Sequence, residues 1–266
     1  MDLQRIDFTR KHGVARITIA NEAASNALDH RFCREFASVA LEAVADKETK
    51  AVLVQGRGKA FCVGGDLRDF LSQRHRMHAH VLDMATHFHT AIIQLRNGPA
   101  PLIIAVNGLA AGGGFSLVLN ADMAIAKRSA KLVAAYSRTG LSPDGGGTWF
   151  LPRLVGLQKA FELFATNPTL TADEALQLGM LSRVVDDDSF NAEVEKLVES
   201  IVASPPGALA ALKKLLRSSA SASFEQQLVL EGELIAECAS RPTTIANLDH
   251  FMAERGGKRP SPATKT

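Results

Sequence analysis

The sequence predicts an α/β fold, with strands and helices interleaved over residues 1–190 and a helical region over 191–266. Short β-branched or apolar runs recur at 14–20, 51–56 and 102–106, each closed by turn signals. Glycine-rich junctions follow the second and third of these runs, and beyond 190 the apolar positions repeat at helical spacing.

In chain order, "VARITIA" (14–20) alternates as a half-buried strand does. Phe32, Phe36, Val39, Ala40, Ala43 and Val44 share one helical face, with Asp29 placed to cap that helix. "AVLVQG" (51–56) and "LIIAV" (102–106) are short and continuously apolar, as strands buried on both faces are. The apolar stretch 101–126 is broken by Asn107, by glycines, and by Asn120 and Asp122, which makes it a core segment and a poor bilayer span. Thr171 and Glu174 form a T-x-x-E capping box opening a helix that Gly179 closes. Amphipathic helices are expected at 190–203 and 207–217, separated by "SPPG", and at 224–239, with "GGKRPSPATKT" (256–266) frayed. No long linker, low-complexity tract or internal repeat interrupts this order.

A chain of 266 residues with 46% hydrophobic content supplies a sizeable core. Thirty basic against 28 acidic residues give a net charge of +2, too slight to argue for nucleic acid or an anionic membrane surface, while leaving room for a small anionic ligand. Cys33, Cys62 and Cys238 are widely spaced with no CxxC pair, against a disulfide framework or a zinc site and in favour of a reducing compartment. The N-terminus lacks an apolar signal core and carries Asp2 and Asp7. A cytoplasmic protein with no membrane and no nucleic-acid partner is expected.

The junctions "GRGKAFCVGGDL" (56–67) and "NGLAAGGGFSLVLNAD" (107–122) match neither the phosphate-loop nor the dinucleotide pattern. Each places glycines between a strand end and a helix, where backbone N–H groups are left unpaired. Facing each other, two such junctions make an oxyanion hole; alternatively, glycine there only permits close packing. In "TGLSPDGGGTWFLPRLVG" (139–156), Asp144 lies in a Pro-Asp-Gly context that reads as a tight turn, and equally offers a carboxylate for proton transfer.

Together, "NEAASNAL" (21–28), "GKAFCVGGDL" (58–67), "PLIIAVNGLAAGGGFSLVLNADMAIA" (101–126), "GLSPDGGGTWFLPRLVG" (140–156) and "TADEALQLGMLSRVV" (171–185) resemble the crotonase superfamily, the enoyl-CoA hydratase/isomerase family. The resemblance runs in order along nearly the whole chain. It implies a spiral core of ββα turns, a C-terminal helical trimerisation region, a homo-oligomer that is a trimer or a dimer of trimers, and an acyl-CoA thioester as substrate. Coenzyme A then enters as part of the substrate, and no metal or redox cofactor is implied. By position, the oxyanion-hole amides fall on Gly65 and Gly113. The adenine end of coenzyme A is implied to lie against backbone near Ala27 and Ala60, with Gly64, Asp66 and Leu67 beside the ligand. Asp66 also reads as an ordinary helix-start acid.

Hydratases of this family manage water and proton with two glutamates, and the corresponding positions are Ser116 and Tyr136. Neither is a carboxylate base at neutral pH. Asp144 matches the position at which dienoyl-CoA isomerases, ring-epoxide isomerases of phenylacetate breakdown and 4-chlorobenzoyl-CoA dehalogenase carry a functional aspartate. A single carboxylate can take a proton from one carbon and return it to another while the oxyanion hole holds the enolate. The resemblance thus implies an enoyl-CoA double-bond isomerase, with an enoyl-CoA hydratase or lyase on an unusual acyl group, or a non-catalytic acyl-CoA-binding protein, as alternatives.

Tyr136 reads as a hydrogen-bond donor, as a wall of the acyl pocket, or as an ordinary half-buried tyrosine, and Ser116 as packing. "RHRMHAHVLDMATHFH" (74–89) holds His75, His78, His80, His87 and His89, read as a solvated helix face because no HExxH or Cys/His pattern accompanies them. His89 falls where the dehalogenase branch has a catalytic histidine, although that branch has a tryptophan where this chain has Tyr136, and it is expected at the substrate. Cys62 reads as a small buried apolar residue. Arg57, Lys59, Arg68, Lys258 and Arg259 are either partners of coenzyme A phosphates or ordinary surface charges, and the pocket walls are expected from 68–97.

Overall fold

A computed structural model describes residues 2–254, so the expectations for 256–266, with Lys258 and Arg259, lie outside the described residues. β1 (Ile6–Lys11) and β2 (Val14–Ile19) form an antiparallel hairpin, followed by α1 (His30–Ala45), which Asp29 caps through the N–H of Phe32 at 2.7 Å. The first ββα turn is β3 (Ala51–Gly56), β4 (Ala60–Cys62), α2 (Leu67–Ser72) and α3 (Met77–Asn97). The second is β5 (Leu102–Val106), β6 (Leu109–Ala111) and α4 (Gly113–Leu119). The third is β7 (Met123–Lys127), β8 (Lys131–Val133), α5 (Gly147–Val155) and α6 (Leu157–Thr166). β9 (Leu170–Thr171), α7 (Ala172–Gln177), β10 (Arg183–Val185) and α8 (Phe190–Ala203) follow, then α9 (Pro206–Ser218), α10 (Phe224–Ala239) and α11 (Pro242–Glu254).

The spiral is visible in the strand pairing. The first strand of each turn joins one sheet, in the order β1-β2-β3-β5-β7-β10, and the second joins another, in the order β4-β6-β8-β9. β3, β5 and β7 run parallel, and so do β4, β6 and β8. The glycine junctions are therefore more structured than expected, because β4 and β6 lie inside them. A three-residue strand such as Ala60–Cys62 is too short to announce itself as a period.

The larger sheet is buried on both faces, which explains its unbroken apolar strands. Along β3, Val52 and Val54 join the cluster that holds Phe32 and Phe36 of α1, while Ala51 and Leu53 join Phe190, Val194, Leu197 and Val198 of α8. Burying each large side chain of α8 stabilises by about 1.5–3 kcal/mol. That packing corrects the expected boundary at 190/191: the first compact unit runs through α8 to Ala203, and the second begins at Ser204. Within the second unit α10 opens with a capping box between Ser223 and Gln226. Thr171 and Glu174 form the expected box at α7. Among the described residues no helix is long and apolar enough to cross a membrane.

Candidate active site

The two glycine junctions meet. A Cβ on Gly64, whose φ is +87°, would lie 2.9 Å from the carbonyl oxygen of Ala111 and 3.1 Å from the nitrogen of Gly113. A Cβ on Gly114 would likewise overlap the Cys62 carbonyl. Glycine at 64 and 114 thus serves close backbone packing, and the N–H role is left to their neighbours.

At Gly65 the direction of that N–H follows from its surroundings. The Gly64 carbonyl accepts from the N–H of Leu28 at 2.8 Å, and the N–H of Asp66 donates to the Leu28 carbonyl at 3.0 Å. In a planar trans peptide the N–H points opposite to its own carbonyl, so the Gly65 N–H faces away from Leu28. It donates to none of the described residues, and neither does the N–H of Gly113, the first residue of α4.

Both glycines line a cavity of about 490 Å³, with Gly64, Leu67, Tyr136 and Asp144. Its walls are mostly apolar, and α2 and α3 supply Phe70, Leu82, Met84 and Phe88 from the expected 68–97 segment. Asp144 is the one carboxylate among the described residues that line it.

Asp144 is both turn residue and presented carboxylate. Gly147 N–H donates to its carbonyl at 3.1 Å, closing a turn through Gly145 and Gly146, both at positive φ. Asn120 ties the turn to α4, donating from Nδ2 to the carbonyls of Ser116 and Gly145 at 2.8 and 2.7 Å. Tyr136 Oη donates to Asp144 Oδ1 at 2.8 Å and lies 2.8 Å from Ser116 Oγ. Burial first, and the Asp144 charge second, push the Tyr136 phenol well above its ordinary value, so it stays a donor. Having spent its one proton on Asp144, the phenol accepts from Ser116. Ser116 therefore does more than pack. Tyr136→Phe is expected to lower stability by about 1–3 kcal/mol, because it strands the Ser116 hydroxyl and removes a charge-assisted bond, with acyl-CoA binding retained. Urea unfolding and ligand titration of the variant check this.

His89 corrects one expectation. It is not part of the cavity lining but stands behind the carboxylate, Nε2 lying 3.2 Å from Asp144 Oδ2 and accepting the Gly145 N–H at 3.1 Å. Accepting at Nε2 puts the ring proton on Nδ1 when the imidazole is neutral. Asp66, Ala27 and Ala60 also lie outside the lining. Asp66 caps α2 through the N–H of Arg68 at 2.9 Å, which is the helix-start reading. The Ala60 carbonyl accepts from Asn26 Nδ2 at 2.8 Å, and the Ala27 carbonyl from Asn21 Nδ2 at 3.2 Å.

Among the histidines, His75 and His78 are exposed as expected, whereas His80 is buried. Cys62 is fully buried, its thiol pushed up to about 12 by burial, which suits an inert residue rather than a nucleophile. Arg57 pairs with Asp7 and with Glu22, while Lys59 and Arg68 are exposed. Sequence reasoning missed Asn26 and Asn120, buried amides that fix the loops on either side of the cavity. For Asn120 the signal was an asparagine inside an apolar run, which needs a buried carbonyl to satisfy it, whereas Asn26 lies between Ser25 and Ala27 with no such signal.

A sequence profile described as Enoyl-CoA hydratase/isomerase matches residues 9–256. The 1,2-epoxyphenylacetyl-CoA isomerase of Escherichia coli K12 is 33% identical over 254 residues, covering 94% of this chain and 97% of that protein. A probable enoyl-CoA hydratase of Rhodobacter capsulatus is 31% identical over 255 residues, covering 96% and 97%. The crystal structure of an enoyl-CoA hydratase from Polaromonas sp. JS666 superposes with a TM-score of 0.89 at 29% identity, covering 95% of this chain and 98% of that one.

Proposed function

The chain belongs to the enoyl-CoA hydratase/isomerase family, and from that premise we propose that it is an enoyl-CoA double-bond isomerase. The observation that carries this reading is Asp144 as the single carboxylate among the described residues that line the cavity, with Tyr136 donating to it and accepting from Ser116. The acyl-CoA thioester places its carbonyl oxygen at the N–H groups of Gly65 and Gly113. Tyr136 occupies Oδ1, so Oδ2 takes the proton from the carbon next to the thioester. The electron pair left behind spreads to the thioester oxygen, where two fixed donors stabilise it; losing one such donor typically costs about 2.7–4 kcal/mol. Return of the proton to the far carbon of the allylic unit completes the shift, and no redox cofactor or metal enters the balance.

A second reading, a hydratase or lyase on an unusual acyl group, is favoured by one observation: the side chains of Asp144 and His89 are 37% and 41% exposed, so water reaches the carboxylate. The deciding experiment is NMR of a 3-enoyl-CoA in D₂O with wild type and Asp144→Asn, beside a 2-enoyl-CoA followed for water addition. Migration in wild type alone supports the isomerase, with any deuterium uptake reporting exchange of the proton held on Asp144 with water. Water addition without migration supports the hydratase. Tight binding with neither supports a non-catalytic acyl-CoA-binding protein.

The same reading includes self-association as a trimer or dimer of trimers. In the second unit Phe224, Val229 and Ile235 are 73%, 63% and 71% exposed, more apolar surface than an isolated helical unit usually leaves to water. Sedimentation equilibrium is expected to return three or six chain masses, and a monomer would remove this part of the proposal.

A further inference from the structure

His80 is a buried titratable side chain for which the scheme above has no use. It lies on α3 with 6% of its surface exposed, and its Nε2 is 2.9 Å from Asp69 Oδ2 on α2. The same oxygen accepts the backbone N–H of His30, the first residue of α1, at 3.1 Å. Three helices thus converge on one carboxylate oxygen. Beside it, the His30 ring lies 5.3 Å from the His80 ring, and its Nε2 reaches Asp83 Oδ2 at 2.6 Å, a second link between α1 and α3.

What this junction holds is the loop carrying Gly65. Six-residue α2 is too short to be stable alone and depends on tertiary anchors. Its first turn follows Gly65 directly, and Phe70 covers that glycine, since a Cβ on Gly65 would lie 2.9 Å from the Phe70 ring. On the other side, the peptide planes flanking Gly65 are pinned to Leu28, two residues before His30. Asp69 closes the ring by tying His30 back to α2. The direction of the Gly65 N–H is therefore set by residues 28–30, and the seating of 28–30 against α2 by the Asp69 carboxylate and its imidazole partner.

We infer that Asp69 and His80 are positioning residues for the Gly65 oxyanion donor, an inference that rests on the acyl-CoA reading above. Neither side chain lines the cavity, so each acts through the loop and not on the ligand. A misplacement of about 1 Å far from the chemistry can cost about 10²-fold in rate.

The test uses the full chain and [1-¹³C]butyryl-CoA, a saturated thioester that cannot isomerise. Bound to wild type, its carbonyl resonance is expected downfield of the free value, reporting polarisation by the two N–H donors. His80→Ala and Asp69→Ala are expected to give back at least half of that shift. Their turnover on a 3-enoyl-CoA should fall by about 10²-fold with Kd changed less than threefold. His80→Gln, whose amide reaches as far as Nε2, is expected to restore both readouts. If His80→Ala does not fold, His80→Asn carries the test, because its shorter amide fills the space without reaching Asp69. A wild-type carbonyl shift in the folded variants overturns the inference and leaves the function standing, as does failure of His80→Gln to recover any of it. Absence of binding or of a shift in wild type overturns the function itself.

Discussion

Asp144→Asn is expected to lower turnover by 10²–10⁴-fold, the usual contribution of a general acid–base group, while leaving acyl-CoA affinity within a few-fold of wild type. The substitution separates the two roles that the residue combines. Asp144 is the first residue of the turn and contributes its backbone carbonyl, and asparagine suits that position as well as aspartate, so the bond from Gly147 and the docking of Gly145 on Asn120 persist. Its amide oxygen still accepts from Tyr136, and its NH₂ takes the place of Oδ2 beside His89. Shape, turn and neighbours survive, and only the ability to take a proton is lost. Stopped-flow turnover of a 3-enoyl-CoA, with binding of a saturated acyl-CoA measured in parallel, gives the two numbers. Turnover within a few-fold of wild type would make Asp144 a turn residue alone.

How far the site was legible in the sequence depends on what each residue needed. Val52, Leu53 and Val54 were readable as a strand because burial on both faces leaves no polar position to confuse the pattern. β4 and β8 were not, because three residues carry no period. The apolar stripe of α8 announced a helix but could not say which surface it covers, and packing on Ala51 and Leu53 moved it into the first unit. Gly65, Gly113, Tyr136 and Asp144 were readable through the order of motifs around them, and the fold brings all four to one cavity. His80 was not, because a histidine in a charged run looks solvated until a distant carboxylate is placed against it, and His89 was expected at the substrate through the resemblance but not behind the carboxylate. For His89 that carboxylate lies 55 positions away in sequence, and for His80 it lies across a change of helix. The carboxylate partners of both histidines thus came from tertiary structure alone.

Gly64→Ala is expected to damage activity and stability together through a single added methyl group. The residue sits at φ +87°, where an L side chain is strained by about 1–3 kcal/mol. Overpacking adds roughly 1–3 kcal/mol, because the new methyl meets the Ala111 carbonyl, the Gly113 nitrogen and the Gly112 Cα within 3.2 Å, all backbone atoms that no rotamer can move aside. Relief requires the two junctions to part, and the nitrogen they part from is that of Gly113, the proposed second donor. Loss of one oxyanion donor costs about 10²–10³ in kcat, so Gly64→Ala should show that loss together with a fall in stability of a few kcal/mol. Gly140→Ala supplies the comparison. Its φ is +75°, but nothing lies within 4 Å of the added methyl, so it carries the backbone strain without the collision. The expected pair of results is a modest stability loss with unchanged kcat for Gly140→Ala, and both losses for Gly64→Ala, read by urea unfolding and steady-state turnover. Equal kcat values in the two variants would mean that the junctions can separate without disturbing the chemistry, and the oxyanion hole would then have to be sought away from Gly113.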